Sequence, residues 1–259
     1  MPAKIPATVV TGFLGAGKTT LIRHMLANAN GRRIALIINE FGDLGVDGDI
    51  LKGCGDETCR EEDIMELSNG CICCTVADDF IPTMEKLLAR EDAPDHIVIE
   101  TSGLALPQPL IRAFNWPGIS TKVTVDGVVT VVDAKAVFDG QFAHNVAAVD
   151  AQRKLDENLD HDTPLSELFD DQMACADMVV VNKSDLLSDA DAIALSDRLK
   201  SEARIGVQVV RTSMGVLPID VLLGQGKGAE GDMDARHEVH HHHHHDEDDH
   251  ADDDHDDHD

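Results

Sequence analysis

The sequence contains no tyrosine and a single tryptophan, Trp116, and aromatic residues make up only 3% of its 259 positions. Ala, Val, Ile and Leu must therefore fill the interior, as they do in parallel sheets covered by helices on both faces. Basic charge is scarce as well: 21 Lys and Arg stand against 49 Asp and Glu, a formal charge of -28. That balance argues against a nucleic-acid partner, whose binding depends on neutralised phosphates, and an anionic membrane would repel the chain. No apolar run approaches the roughly 18 residues of a membrane span. Met1 to Pro6 leads into a Val-rich strand instead of a secretory signal, so a cytoplasmic location is expected. Six cysteines are too few for a disulfide framework, yet three of them lie within four residues. In a reducing compartment such clustering points to metal or redox chemistry.

What is present is unevenly distributed. His237 to Asp259 holds 11 acidic residues, 10 of the 14 histidines and no Lys or Arg. The length allows one large domain with an appendage. We expect one folded domain over 1–223 with a Cys-rich insert near 39–75, a Gly-rich flexible linker over 224–236, and a disordered His/Asp-rich tail over 237–259. Ala7 to Thr11 reads as a buried strand, followed by a helix from Thr19 to about Asn28 and a strand from Ile34 to Ile38. A long polar stretch, Asn39 to Thr75, precedes a helix within Asp78 to Arg90 and a strand His96 to Ile99. Helix Pro107 to Phe114 follows. Lys122 to Val125 and Val128 to Val132 flank Asp126-Gly127, which predicts an antiparallel hairpin. Ser166 to Ala176, Met178 to Asn182, Asp189 to Glu202 and Val207 to Val210 continue as helix, strand, helix, strand. The fold class is thus α/β, doubly wound and mainly parallel, with one antiparallel hairpin.

Gly12-Phe-Leu-Gly15-Ala16-Gly17-Lys18-Thr19 is a complete G-x-x-x-x-G-K-[ST] set between a strand and a helix, which makes a P-loop NTPase the expected fold of the 1–223 domain. Its glycines let backbone N–H groups wrap phosphates, Lys18 can reach the β and γ oxygens, and the Thr19 hydroxyl can ligate Mg²⁺. Thr20 follows at the opening of the helix. Further on, a buried strand runs into Asn182-Lys183-Ser184-Asp185, the N-K-x-D pattern of guanine-specific proteins. The Asp185 carboxylate suits guanine N1–H and its exocyclic amine, which adenine cannot present, while Asn182 and the Lys183 stem frame the base. Thr212, after the next strand, is placed to cover the other side of the base. GTP or GDP is therefore the expected nucleotide.

For the Mg²⁺ carboxylate there are two candidates. Glu100, in Glu100-Thr-Ser-Gly103, offers a carboxylate to the metal and the Gly103 N–H to the γ-phosphate. Asp133, at the end of another strand, is more easily a helix cap. Glu100 is preferred, with Asp47 or Asp49 completing the site. The transition-metal signal is Cys71-Ile-Cys73-Cys74, whose thiols suit soft or borderline ions such as Zn²⁺, Co²⁺ or Cu⁺. Cys54 and Cys59 are a loose second pair for a permanent four-cysteine knuckle. Cys175, on a helix, reads as core. His240, His241, His242, His243, His244 and His245 have the length of an affinity tag, but the surrounding His237, His250, His255 and His258 alternate with acids, which favours a weak natural metal-collecting arm.

Gly12 to Thr19, Asn39-Glu40-Phe41-Gly42, Cys71 to Cys74, Glu100 to Gly103 and Asn182 to Asp185 occur in the order of the CobW-like metallochaperone GTPases, which the sequence resembles over about residues 4–225. The resemblance implies slow Mg²⁺-dependent GTP hydrolysis that gates a thiolate metal site. It also implies Co²⁺ (or Zn²⁺) passed toward an acceptor such as a cobaltochelatase subunit in cobalamin biosynthesis. Cys73 is its central ligand, with Cys71 or Cys74, and Glu40 or Asp43 nearby. A zinc or iron chaperone of the same fold, or a regulatory GTPase with structural zinc, is the alternative. Family members usually continue from a His-rich linker into a small α/β domain. This sequence ends at Asp259, either truncated or naturally short.

Overall fold

The computed structural model describes residues 3–39, 63–67, 80–145, 147, 149 and 164–232. Seven strands form one sheet in the order β3-β2-β4-β1-β5-β6-β7: β1 Ile5–Thr11, β2 Ile34–Asn39, β3 Ile64–Leu67, β4 His96–Glu100, β5 Val123–Asp133, β6 Met178–Asn182 and β7 Gln208–Arg211. Every pairing is parallel. Parallel strands need covered crossovers, and the helices supply them: α1 Lys18–Ala27, α2 Ile81–Leu88, α3 Pro107–Ala113, α4 Pro117–Ser120, α5 Ala134–Phe138, α6 Leu165–Cys175, α7 Asp189–Glu202 and α8 Ile219–Leu222.

Because side chains alternate across a strand, neighbouring apolar residues go to different cores. Val9, Ile37, Ile97 and Ile99 pack with Met84 of α2 and Leu110 of α3. Val10, Leu36, Ile38 and Val98 pack on the other face with Leu21, Ile22 and Met25 of α1. Towards β7, Val179 and Val181 join Phe169 of α6 with Leu195 and Leu199 of α7. Each fully buried Val, Leu or Ile contributes about 1.5–3 kcal/mol, so the two-faced aliphatic pattern holds a sheet that almost lacks aromatics. Cys175 is fully buried in the first of these cores, as its helical position suggests.

Three expectations are corrected. The hairpin does not form, because Val123–Asp133 is one eleven-residue strand. The register against β1 passes from Ala7↔Val125 to Thr8↔Gly127, so Asp126 is the extra residue of a β-bulge. Pairing with β1 on one side and β6 on the other outweighs the local turn preference. The polar stretch after β2 contains a short edge strand, β3, in register with it at Leu36↔Ile64. Finally, Gly224 to Asp232 does not behave as a loose linker. The Asp126 carboxylate accepts from the backbone N–H of Gly224 (2.6 Å), Gln225 (3.0 Å) and Gly226 (2.8 Å). The Glu230 carboxylate takes the Thr124 hydroxyl at 2.6 Å and the Val125 N–H at 2.9 Å, while Ala229 is fully buried.

Candidate functional site

The C-terminal ends of parallel strands are where a doubly wound sheet leaves room for ligands, and the motifs converge there. After β1 the chain turns through Gly12 (φ 132°), Gly15 (φ 78°) and Gly17 (φ 105°) into α1. A Cβ on Gly12 would stand 2.1 Å from the Val131 carbonyl oxygen, and one on Gly17 would stand 2.2 Å from Asn182 Nδ2. Glycine is therefore required by close approach as well as by conformation. The first turn of α1 carries no acidic residue of its own, so its N–H groups and the helix dipole suit an anion at the turn. Ala16 is buried and Thr20 exposed. Lys18 is 7% exposed, and its Nζ donates to the carbonyls of Gly12 at 2.8 Å and Phe13 at 3.4 Å. A buried ammonium held by turn carbonyls is stabilised while within reach of an arriving polyphosphate.

Glu100 ends β4 beside β1, paired in register with Val10. Thr19 Oγ1 donates to its Oε1 at 3.3 Å, bringing hydroxyl and carboxylate to one point at the mouth of the turn. These hard oxygen donors suit Mg²⁺. Gly103 lies against the same turn, where a Cβ would stand 2.6 Å from the Leu14 nitrogen. Gln172 on α6, fully buried, donates to the carbonyls of Gly103 at 3.3 Å and Ala105 at 3.4 Å. Sequence reading missed Gln172, since nothing local marks a helical Gln as the brace of a loop 69 residues away.

At the end of β6, the Asn182 amide joins two loops: Nδ2 donates to the Ala16 carbonyl at 2.9 Å and Oδ1 accepts from Gly215 N–H at 3.1 Å. Lys183 is left-handed (φ 58°), and Asp185 is exposed in the following turn. Gly215 (φ 65°) packs on the start of α1, where a Cβ would stand 2.8 Å from the Leu21 nitrogen. Its position shortly after Thr212-Ser213 and a strand was the available signal. Thr212 itself is buried; its hydroxyl donates to the Val216 carbonyl at 2.7 Å and its carbonyl accepts from Ser184 N–H at 3.1 Å. Through these bonds it braces the loop from within.

Asp133 caps α5, with Oδ1 accepting from the N–H of Lys135 and Ala136 at 3.1 Å each. Its Oδ2 meets Lys183 Nζ at 2.6 Å. Glu40, Asp43, Asp47, Asp49, Cys54, Cys59, Cys71, Cys73, Cys74 and the histidines from His237 to His258 lie outside the described residues. Among the described residues no group of three metal-ligating side chains is found, and no helix is long and apolar enough to cross a membrane.

Comparison with known proteins agrees with this geometry. The nucleotide-binding domain of CobW/HypB/UreG matches residues 6–211. A zinc chaperone CobW from Sinorhizobium sp is 61% identical over 237 residues, covering 92% of this chain and 67% of the relative. Its namesake from Pseudomonas aeruginosa is 55% identical over 243 residues, covering 92% and 64%. The Zn(II)-bound YjiA GTPase from E. coli is 25% identical with a TM-score of 0.53, over 87% of this chain and 63% of that one. The chain thus spans about two thirds of the length of these relatives. With a Gly-rich G-x-x-x-x-G-K-T turn, a strand-end carboxylate and an N-K-x-D loop at the C-terminal ends of the strands, and a family match over most of its length, the chain belongs to the CobW/HypB/UreG family of P-loop GTPases.

Proposed function

We propose that this protein is a GTP-gated metallochaperone that takes up Zn²⁺ on the thiolates of Cys71, Cys73 and Cys74 when Mg²⁺–GTP is bound and releases it after hydrolysis. One observation carries the gating: the strands leading into both Cys-containing segments end beside the nucleotide site. Ile38 of β2 is in register with Glu100, the carboxylate that meets Thr19, and Asn39 is in register with Leu67 of β3. Neighbouring strands are about 4.8 Å apart, so the end of β3 lies about 10 Å from that of β4. The four residues from Leu67 to Cys71 span up to about 14 Å. An ordering event at the γ-phosphate can therefore reach the thiols directly.

In this mechanism the Gly12 to Lys18 amides and α1 hold the β and γ phosphates, and Lys18 exchanges its turn carbonyls for phosphate oxygens. Thr19 and Glu100, with Asp47 or Asp49 as the remaining candidate, would hold Mg²⁺. When bound, the metal would supply neutralisation of charge on the phosphoryl oxygens. Gly103 N–H is placed for the γ-phosphate. Water attacks the γ phosphorus, the bond to the bridging β–γ oxygen breaks, and GDP and phosphate leave. Asp185 reads guanine. Binding linkage then requires nucleotide and cargo to tighten each other by the same factor.

Zinc is favoured over cobalt because thiolates bind Zn²⁺ more tightly than Co²⁺ and because the 61% identical relative is named a zinc chaperone. A cobalt cargo for cobalamin synthesis, with a cobaltochelatase-type acceptor, is the other outcome of the same experiment. The experiment compares Zn²⁺ and Co²⁺ affinities of the nucleotide-free, Mg²⁺–GDP and Mg²⁺–GTP forms of the full chain. Tight binding only with Mg²⁺–GTP, lost in Cys73→Ser, is expected. Affinity independent of nucleotide would instead indicate a GTPase with a structural metal. Equal loss in Cys54→Ser and Cys59→Ser would favour a permanent four-cysteine knuckle. The reading places the protein in the cytoplasm with guanine nucleotide and metal ion as its partners.

A further inference from the structure

We infer that Asp133 is a positioning residue for guanine recognition: it tethers Lys183 so that Asp185 stays available to the base. This rests on the guanine reading above. Asp133 ends β5 directly beside β6, in register with Asn182, and is 2% exposed. Its two carboxylate oxygens have separate duties. Oδ1 caps α5 through two backbone N–H groups, and Oδ2 holds the Lys183 ammonium at 2.6 Å. The helix cap accounts for one oxygen only; the other reaches 50 residues along the chain into the N-K-x-D loop.

Lys183 is fixed at both ends. Its backbone is left-handed, a conformation disfavoured for a residue with a Cβ. Neighbouring bonds keep it there: Asn182 is clamped between Ala16 and Gly215, and Ser184 is bonded through its N–H to Thr212 and through its hydroxyl to the Val181 carbonyl. With Nζ held on Asp133, the aliphatic stem between these two points becomes a fixed apolar edge of the base site.

The pair also has an electrostatic consequence. Lys183 lies two residues from Asp185, the exposed carboxylate proposed to read guanine. An untethered ammonium would be attracted to that carboxylate and would compete with N1–H and the 2-amino group. Paired with the buried Asp133 carboxylate in a charge-assisted contact, the lysine leaves the Asp185 oxygens available to accept from the base.

The test is a double-mutant cycle on the full chain with GDP, IDP and ADP as probes. Asp133→Asn keeps an acceptor for the α5 cap, since Asn caps as well as Asp, but removes the charge. It is expected to raise the GDP dissociation constant about 20-fold, within the range expected for loss of a hydrogen bond to a charged group. KM for GTP should rise while kcat at saturation changes less than about twofold, the mark of a binding rather than a chemical defect. Because IDP lacks the 2-amino group that Asp185 accepts, the GDP-to-IDP preference should shrink toward unity, which a purely structural cap would not cause. Lys183→Met keeps an apolar stem and abolishes the tether. In that background Asp133→Asn should add nothing further, because the pair is already broken. An additive second loss would show that Asp133 acts elsewhere and overturn the inference. So would unchanged GDP affinity in Asp133→Asn with normal guanine preference in wild type. Equal wild-type affinity for GDP and ADP would overturn the guanine reading and this inference with it.

Discussion

The two ends of the same sheet are built on opposite plans. At the C-terminal ends of the strands, glycines bring backbones together and polar groups face a turn shaped for an anion: Lys18 on turn carbonyls, Thr19 against Glu100, Asn182 across two loops. At the N-terminal ends, a carboxylate is used up by the chain itself. Asp126, 4% exposed, accepts three backbone N–H groups of Gly224 to Gly226, and its own carbonyl takes Lys227 N–H at 2.9 Å. One end holds its donors for a ligand; the other consumes donors of the same kind to fasten the segment that follows α8. The same chemistry therefore yields binding at one edge and stability at the other, and substitutions should separate them.

The largest separation is expected from Lys18→Ala. Loss of the ammonium should weaken GTP about 1,000-fold, or about 4 kcal/mol, since it removes a preorganised charge aimed at phosphate. The thermal midpoint should shift little. Titration calorimetry and a melting curve on the same sample check both, and a variant that bound GTP normally would break the comparison at the nucleotide end. Asp126→Ala should do the reverse. Three backbone donors lose their acceptor, at about 1–3 kcal/mol each before water re-enters, so a loss of about 4 kcal/mol in unfolding free energy is expected. Hydrogen exchange should speed up over Gly224 to Asp232, while GDP affinity stays within about twofold, as expected for sites on separate networks.

How much of this was legible in the sequence follows the same division. The nucleotide end is written in short contiguous motifs, because one turn of chain makes most of its contacts with itself. Gly12 to Thr19 and Asn182 to Asp185 are readable at sight, and α7 occupies the Asp189–Glu202 range its pattern predicts, with the Ser188 hydroxyl accepting from Asp191 N–H. The opposite end depends on partners far apart in sequence. Asp126-Gly127 carries a strong hairpin signal, yet the carboxylate serves residues 98 to 100 positions away and the strand runs on. β3 has only four residues, too few to show a period inside a polar stretch. The Asp133–Lys183 pair was hidden for a related reason: each residue had a sufficient local explanation, as cap and as loop.

The smallest expected effect sharpens the comparison through pH. His96 begins β4 at the N-terminal end of the sheet, is 4% exposed, and has Nε2 2.8 Å from Thr8 Oγ1. Burial is the main cause that lowers its pKa from 6.5 to about 4; the Asp126 carboxylate opposes this and the Arg32 guanidinium adds to it. A histidine whose folded pKa is depressed stays neutral in the native state while the unfolded chain takes up a proton. No stability is lost above pH 6.5, stability falls as the pH drops from there toward about 4, and the loss levels off below that value. At 1.36 kcal/mol per unit the full loss is about 3 kcal/mol, and about 2 kcal/mol is reached at pH 5. His96→Gln, which keeps a polar partner for Thr8 but does not titrate, should lack this component. Urea unfolding of both proteins at pH 7.5 and 5 isolates it, since every other titrating group is common to the pair. Asp126→Ala removes the one nearby charge that favours the protonated ring, so in that background the His96 pKa should move lower still. If wild type and the His96→Gln variant instead lost the same stability between pH 7.5 and pH 5, the ring would be protonating inside the native fold, and this end of the sheet would be less closed than its bonding implies.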